Sequence, residues 1–172
     1  MTDSSSPTWS EWLRDHGSRL MLYARQQTRC EADAEDVLQN ALMKTWKSHG
    51  DRPREELLGL VYANIRRCAI DLARMHDRRV QREQKAVEDG GEPVSWFELP
   101  EDDESRALQV AMAALPEKFR EVITLKLWGE LTFAEIGETL GISQNTAASR
   151  YRYGLEALRT QLVHEEQALR GG

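Results

Sequence analysis

The chain has 172 residues, 40% of them hydrophobic and 30% charged, with a formal net charge of −6. That length suits two small helical units better than one large core. The acidic balance excludes a free-standing protein that holds nucleic acid by bulk charge, so any such binding is confined to local basic faces or shared with a partner.

Apolar residues recur at helical spacing and no useful strand-like alternation appears, so the expected fold is all-α. Trp9, Trp12, Leu13, Leu20 and Tyr23 share one face of a first helix. Asp33 is the expected N-cap of a second, with Glu35 and Asp36 suited to the positive end of its dipole. Val37, Leu38, Ala41, Leu42 and Trp46 form its expected apolar stripe. Gly50 and Pro53 interrupt the pattern. A third helix is expected from about Pro53 to about Lys85, burying Leu57, Leu60, Val61, Ile65, Cys68, Ala69 and Leu72. Its later half is crowded with Arg66, Arg67, Arg74, Arg78, Arg79 and Arg82.

Residues 86–105 are acidic, rich in Gly and Pro, and lack any basic residue, the composition of a linker. Trp96, Phe97 and Leu99 are the large apolar group within it. Helices are expected to resume at Arg106, with a stripe of Leu108, Ala111, Met112 and Leu115. Another starts at Pro116 and Glu117 and ends at Gly129. The boundaries that follow are 1–85, 86–105 and 106–172.

The segment from Thr132 to about Arg159 carries the strongest motif. Thr132 and Glu135 form a capping box, Gly141 is placed to end that helix in the left-handed region, and Ser143 caps the next. Phe133, Ile136 and Leu140 face inward on the first helix, and Ala147, Tyr151, Leu155 and Leu158 on the second. Gln144, Asn145, Thr146, Ser149, Arg150 and Arg152 are left outward near the second helix start, where a helix-turn-helix meets the major groove. Asn and Gln suit adenine there, and Arg suits guanine or phosphate.

Cys30 and Cys68 have no CxxC spacing and no histidine at zinc-ligand distance, so free thiols of a reducing cytosol are expected, with no metal and no cofactor. No apolar run approaches the roughly 18 residues of a membrane span. The polar start from Met1 to Pro7 does not read as a signal peptide. A bacterial cytoplasmic location is expected.

These residues resemble the bacterial sigma-70 family, in its extracytoplasmic-function (ECF) group. Leu115 to Leu127, Leu131 to Gly137 and Leu140 to Arg152 look like region 4; Asp33 to Gln39, with Trp46, looks like region 2.2, and Ala69 to Arg74 like region 2.4. The resemblance implies an alternative sigma factor that recruits core RNA polymerase to promoters, helps open the duplex, and performs no covalent chemistry. It implies that Asp36, Gln39, Asn40 and Lys44 meet the clamp helices of the largest polymerase subunit, while region 4 meets the flap of the second largest. It implies that Gly50, Asp51, Arg66, Arg67, Arg74 and Arg78 handle the −10 element, and that the outward residues from Gln144 to Arg152 read the −35 element. An anti-sigma factor is a further partner of the family. Three positions depart from its pattern: Leu60 stands where Trp is usual, Arg67 where Asn is usual, and Tyr153 where Arg is frequent.

A stand-alone helix-turn-helix regulator would account for the last motif, yet leaves the Asp33–Gln39 segment and the arginine helix without a role. A nuclease using Asp33, Glu35, Asp36 and Asp71 lacks an accompanying His or Lys at useful spacing. A helical adaptor that does not bind DNA is the remaining alternative.

Overall fold

A computed structural model describes residues 7–50, 52–83 and 102–171. Seven α-helices and one short 3-10 turn make up the regular structure of these residues, and no strand occurs among them. They fall into two compact units, divided between the third and fourth helices.

In the first unit, α1 spans Trp9–Gln27. Its start is fixed by a capping box between Thr8 and Glu11. The Thr8 hydroxyl accepts from the Glu11 amide, and the Glu11 carboxylate accepts from the Thr8 amide at 2.8 Å. Those bonds from the Thr8 backbone and side chain hold the Glu11 carboxyl below the usual carboxylate range. Trp12, His16, Leu20 and Tyr23 follow at helical spacing and are buried.

The second helix, α2, spans Glu31–His49. It begins two residues before the expected cap, because Cys30, extended, takes the N-cap position without a side-chain bond. Arg25 near the end of α1 grips Glu31 through Nε and Nη2 at 2.9–3.1 Å, which anchors the first turn from outside the helix. Asp33 is therefore a first-turn acid, with its carboxylate 3.9 Å from His76 Nε2. Trp46, expected in the apolar stripe, is 48% exposed. Five residues beyond the buried Ala41, it lies about 140° around the helix, and Thr45 takes the inner position instead.

The chain after α2 makes a 3-10 turn at Glu55–Leu57, and α3 runs Leu58–Glu83. The helix thus starts five residues later than expected from Pro53, whose ring is buried outside it. Lys85 lies outside the described residues. Leu58, Val61, Tyr62, Ile65, Cys68 and Ala69 pack inward, and the Tyr23 and Tyr62 rings meet edge to face at 5.4 Å. From Ala73 to Arg82 every side chain is exposed. Leu60 is half-buried. Cys30 is half-buried and Cys68 buried, both as free thiols.

The second unit opens with α4, Asp103–Ala114. The Asp102 carboxylate caps it by accepting from the Ser105 amide at 2.7 Å. The end of the acidic run is therefore helical rather than linker: Asp103 and Glu104 occupy the first turn, where the helix dipole favours them. The rest of the expected linker, with Trp96, Phe97 and Leu99, lies outside the described residues.

α5 spans Glu117–Leu127, α6 Phe133–Leu140 and α7 Gln144–Arg170. Helices α4, α5 and α6 all pack against α7. Ala111, Met112, Val122, Ile123, Leu125, Ile136 and Ala147 are fully enclosed between them.

Candidate nucleic-acid interface

The turn between α6 and α7 is built from bonds that span three to five residues. The Thr132 hydroxyl accepts from the Glu135 amide and the Glu135 carboxylate accepts from the Thr132 amide, each at 3.2 Å. Lys126 on α5 donates to the Leu131 carbonyl at 3.2 Å, which holds the approach to α6. Gly141 ends α6 with φ +69°, in the left-handed region that a Cβ disfavours. Ser143 then accepts from the Thr146 amide at 3.1 Å and starts α7.

Gly137 has a different task. A Cβ there would sit 2.7 Å from the Ile142 carbonyl oxygen, so the turn after α6 folds against the bare backbone of its second turn. Gly154 on α7 plays the same part toward α5: a Cβ would lie 3.1 Å from Phe119 Cβ and 3.0 Å from Ile123 Cδ1. Gly154 stands seven residues after the buried Ala147, on the same helix face, a spacing visible in the sequence. Tyr151 and Leu155, expected inside, are half-buried. The Tyr151 ring lies 5.5 Å from Phe133, and that ring in turn carries Lys126 Nζ at 4.7 Å.

The outward side of α7 begins with Gln144 and Asn145, both exposed. Thr146, Ser149 and Arg150 are half-buried, and Arg152 is exposed. Thr146 is less available than the sequence suggested, because its Oγ1 accepts from the Ser143 hydroxyl at 2.8 Å. Arg152 lays its guanidinium over the exposed Tyr153 ring at 4.9 Å. The result is a short patch of amide, hydroxyl and guanidinium groups at the positive end of a long helix dipole, suited to base edges and phosphate.

The first unit presents two polar faces. On α2, Asp36, Gln39, Asn40 and Lys44 are all exposed, and Asn40 Nδ2 reaches the Asp36 carboxylate at 3.4 Å. Met43 and Trp46, 52% and 48% exposed, extend that side as an apolar end that sequence reasoning missed. Their spacing of three residues from Asn40 and Met43 was the available signal.

On α3, Arg67, Arg74 and Arg78 are exposed and Arg66 is half-buried. Arg67 Nη1 donates to Asn64 Oδ1 at 3.4 Å. Gly50, with φ +82°, caps α2 through its amide to the Trp46 carbonyl at 2.9 Å. Its own carbonyl accepts from the Trp9 indole at 3.4 Å. Asp51 lies outside the described residues. Just beyond, Glu55 meets the buried His16 at 3.2 Å, and the His16 ring lies tilted against Trp12 with centroids 4.7 Å apart. Among the described residues no group of three His, Cys, Asp or Glu gathers as a metal site, and no helix is long and apolar enough to cross a membrane.

Residues 12–79 match the family model for Sigma-70 region 2, and residues 111–160 match that for Sigma-70, region 4. The ECF RNA polymerase sigma factor SigE of Mycolicibacterium smegmatis is 27% identical over 93% of this chain, and the chain spans 63% of that relative's length. The RNA polymerase sigma factor SigV of Bacillus subtilis is 26% identical over 90% of each chain. Among solved structures, the sigma factor RpoE of Bartonella quintana, crystallised in complex with the anti-sigma factor NepR, matches with a TM-score of 0.65. That match has 21% identity and covers 90% of this chain and 96% of that one.

Proposed function

Because this chain belongs to the sigma-70 family, in its ECF group, we propose that it is an alternative sigma factor that binds core RNA polymerase, directs it to promoters and assists their opening. One observation carries the reading: the two family regions occur in order, and each falls on a unit with an exposed polar face of fitting chemistry.

On this reading the exposed side of α7, from Gln144 to Arg152, takes the −35 element. The faces of Arg66, Arg67, Arg74 and Arg78 with the Gly50–Asp51 loop take the −10 strand, and Asp36, Gln39, Asn40 and Lys44 take polymerase. The acidic segment between α3 and α4 links region 2 to region 4. The acidic net charge fits this division, since the polymerase shares the work of holding phosphate. The protein forms no covalent bond with its targets and acts where bacterial polymerase acts, in the cytoplasm. A relative solved with an anti-sigma factor supports a partner of that kind here as well.

Run-off transcription with core polymerase on a promoter library tests the proposal. Redirection of core to a defined promoter set is the expected result. Core that is never redirected, together with a protein that shifts duplex DNA alone at physiological salt, would establish the stand-alone regulator instead.

A further inference from the structure

Asn64 is an amide in a place where an aliphatic side chain of similar size would pack. It is 8% exposed, on the side of α3 that faces α2. A buried amide costs stability unless its bonds are made, so its presence there asks for a reason.

Its bonds run in one direction. Thr45, fully buried on α2, donates its single hydroxyl proton to the Ala41 carbonyl at 2.9 Å. With that proton committed, Thr45 Oγ1 can only accept. Asn64 must therefore turn its NH2 toward it, and Nδ2 lies 3.0 Å away. This fixes the amide orientation and sends Oδ1 the other way, toward Arg67 Nη1 at 3.4 Å. A chain of three hydrogen bonds thus leads from the backbone of α2 to a guanidinium on the exposed face of α3.

We infer that Asn64 is a positioning residue: it pre-orients Arg67 for the −10 strand of a promoter. The inference rests on the sigma reading of Arg67. An arginine has five N–H donors, so a bond to Asn64 leaves the others for phosphate or a base edge. An unrestrained arginine would lose side-chain freedom on reaching DNA, and anchoring one nitrogen beforehand reduces that loss. The same bonds join α3 to α2, so the helix that faces polymerase also steadies the side chain that faces DNA.

The test uses the full chain in holoenzyme on a promoter that the wild type opens. It reads the rate of strand opening, core affinity and the thermal midpoint. Arg67→Ala should slow opening about tenfold. Asn64→Leu should slow it about fivefold, the size of one lost hydrogen bond, with core affinity unchanged and the thermal midpoint still above the assay temperature. The double variant should be no slower than Arg67→Ala alone. Thr45→Val should reproduce Asn64→Leu, and Thr45→Ser, which keeps the hydroxyl, should restore the wild-type rate. Multiplying effects in the double variant, or a loss of core affinity in step with opening, would overturn the positioning role alone. A wild-type chain that opens no promoter would overturn the sigma reading and this inference together.

Discussion

The indole of Trp9 donates to the backbone carbonyl of Gly50 at 3.4 Å and so ties the first turn of α1 to the loop after α2. The ring is itself braced edge-on against Trp12 at 5.6 Å, and Trp12 packs at a tilt against His16, which meets Glu55 on the far side of the loop. The loop between α2 and α3 is thus held from behind by aromatic residues of the first helix.

Trp9→Phe keeps an aromatic ring, smaller than the indole, and removes the donor. If the loop touches the −10 strand, this change should slow promoter opening by up to about fivefold, the worth of one net hydrogen bond. Core affinity should be unchanged. Strand opening followed by a base-analogue fluorophore, beside a core-binding titration, checks both statements.

The turn between α6 and α7 should be intolerant at two glycines for separate reasons. Gly137→Ala drives a methyl group into the Ile142 carbonyl and should cost about 1–3 kcal/mol by overpacking. Gly141→Ala meets open space, yet must hold φ near +69°, and should cost about 1–2 kcal/mol through backbone strain. Thermal unfolding by circular dichroism measures each. An unchanged midpoint for either variant would contradict the turn geometry described.

Asp102 makes α4 sensitive to acid. Its carboxyl is held below the usual aspartate range, chiefly by the Ser105 backbone amide and then by the Ser105 side chain. A depressed folded value means that the carboxylate favours the folded state. The contribution is therefore complete above the ordinary aspartate range, and declines as pH falls through the depressed value. Asp102→Ala should lower the unfolding midpoint at neutral pH, whereas Asp102→Asn, which keeps an acceptor, should stay close to wild type and lose only the share of the acid dependence that Asp102 contributes. Unfolding curves over the acidic range separate the two.

Arg150 and Arg152 should differ. Arg152 is exposed, so Arg152→Ala should weaken holoenzyme binding across promoter sequences and reduce the salt slope by about one, as a phosphate contact does. Arg150 is half-buried nearer the helix start, so Arg150→Ala should relax preference at one −35 position. Binding measured over a salt series on single-base promoter variants distinguishes these outcomes. Equal loss of core affinity with either change would remove the residue from the DNA face.

The helix-turn-helix was legible because its punctuation is local. Thr132 with Glu135, Gly141, and Ser143 with Thr146 each act within four residues, and their chemistry is the same in any fold that permits the turn. The outward placement of Asp36, Gln39, Asn40 and Lys44 was legible from helical period alone.

What the tertiary structure decided is which side of each helix meets a neighbour. Helical period leaves Thr45 on the buried side of α2, but that its hydroxyl oxygen accepts from Asn64 on α3 is a relation between two helices. Cys30 takes the N-cap of α2 without a side-chain bond, and Arg25, on another helix, holds Glu31 in the first turn. The cap that Asp102 makes with Ser105 is as local as those of α6 and α7, although the acidic run around it has the composition of a linker. Caps and turns are intrachain bonds over a few residues and travel with the sequence. Burial and side-chain orientation are relations between elements, and they exist only once the elements have met.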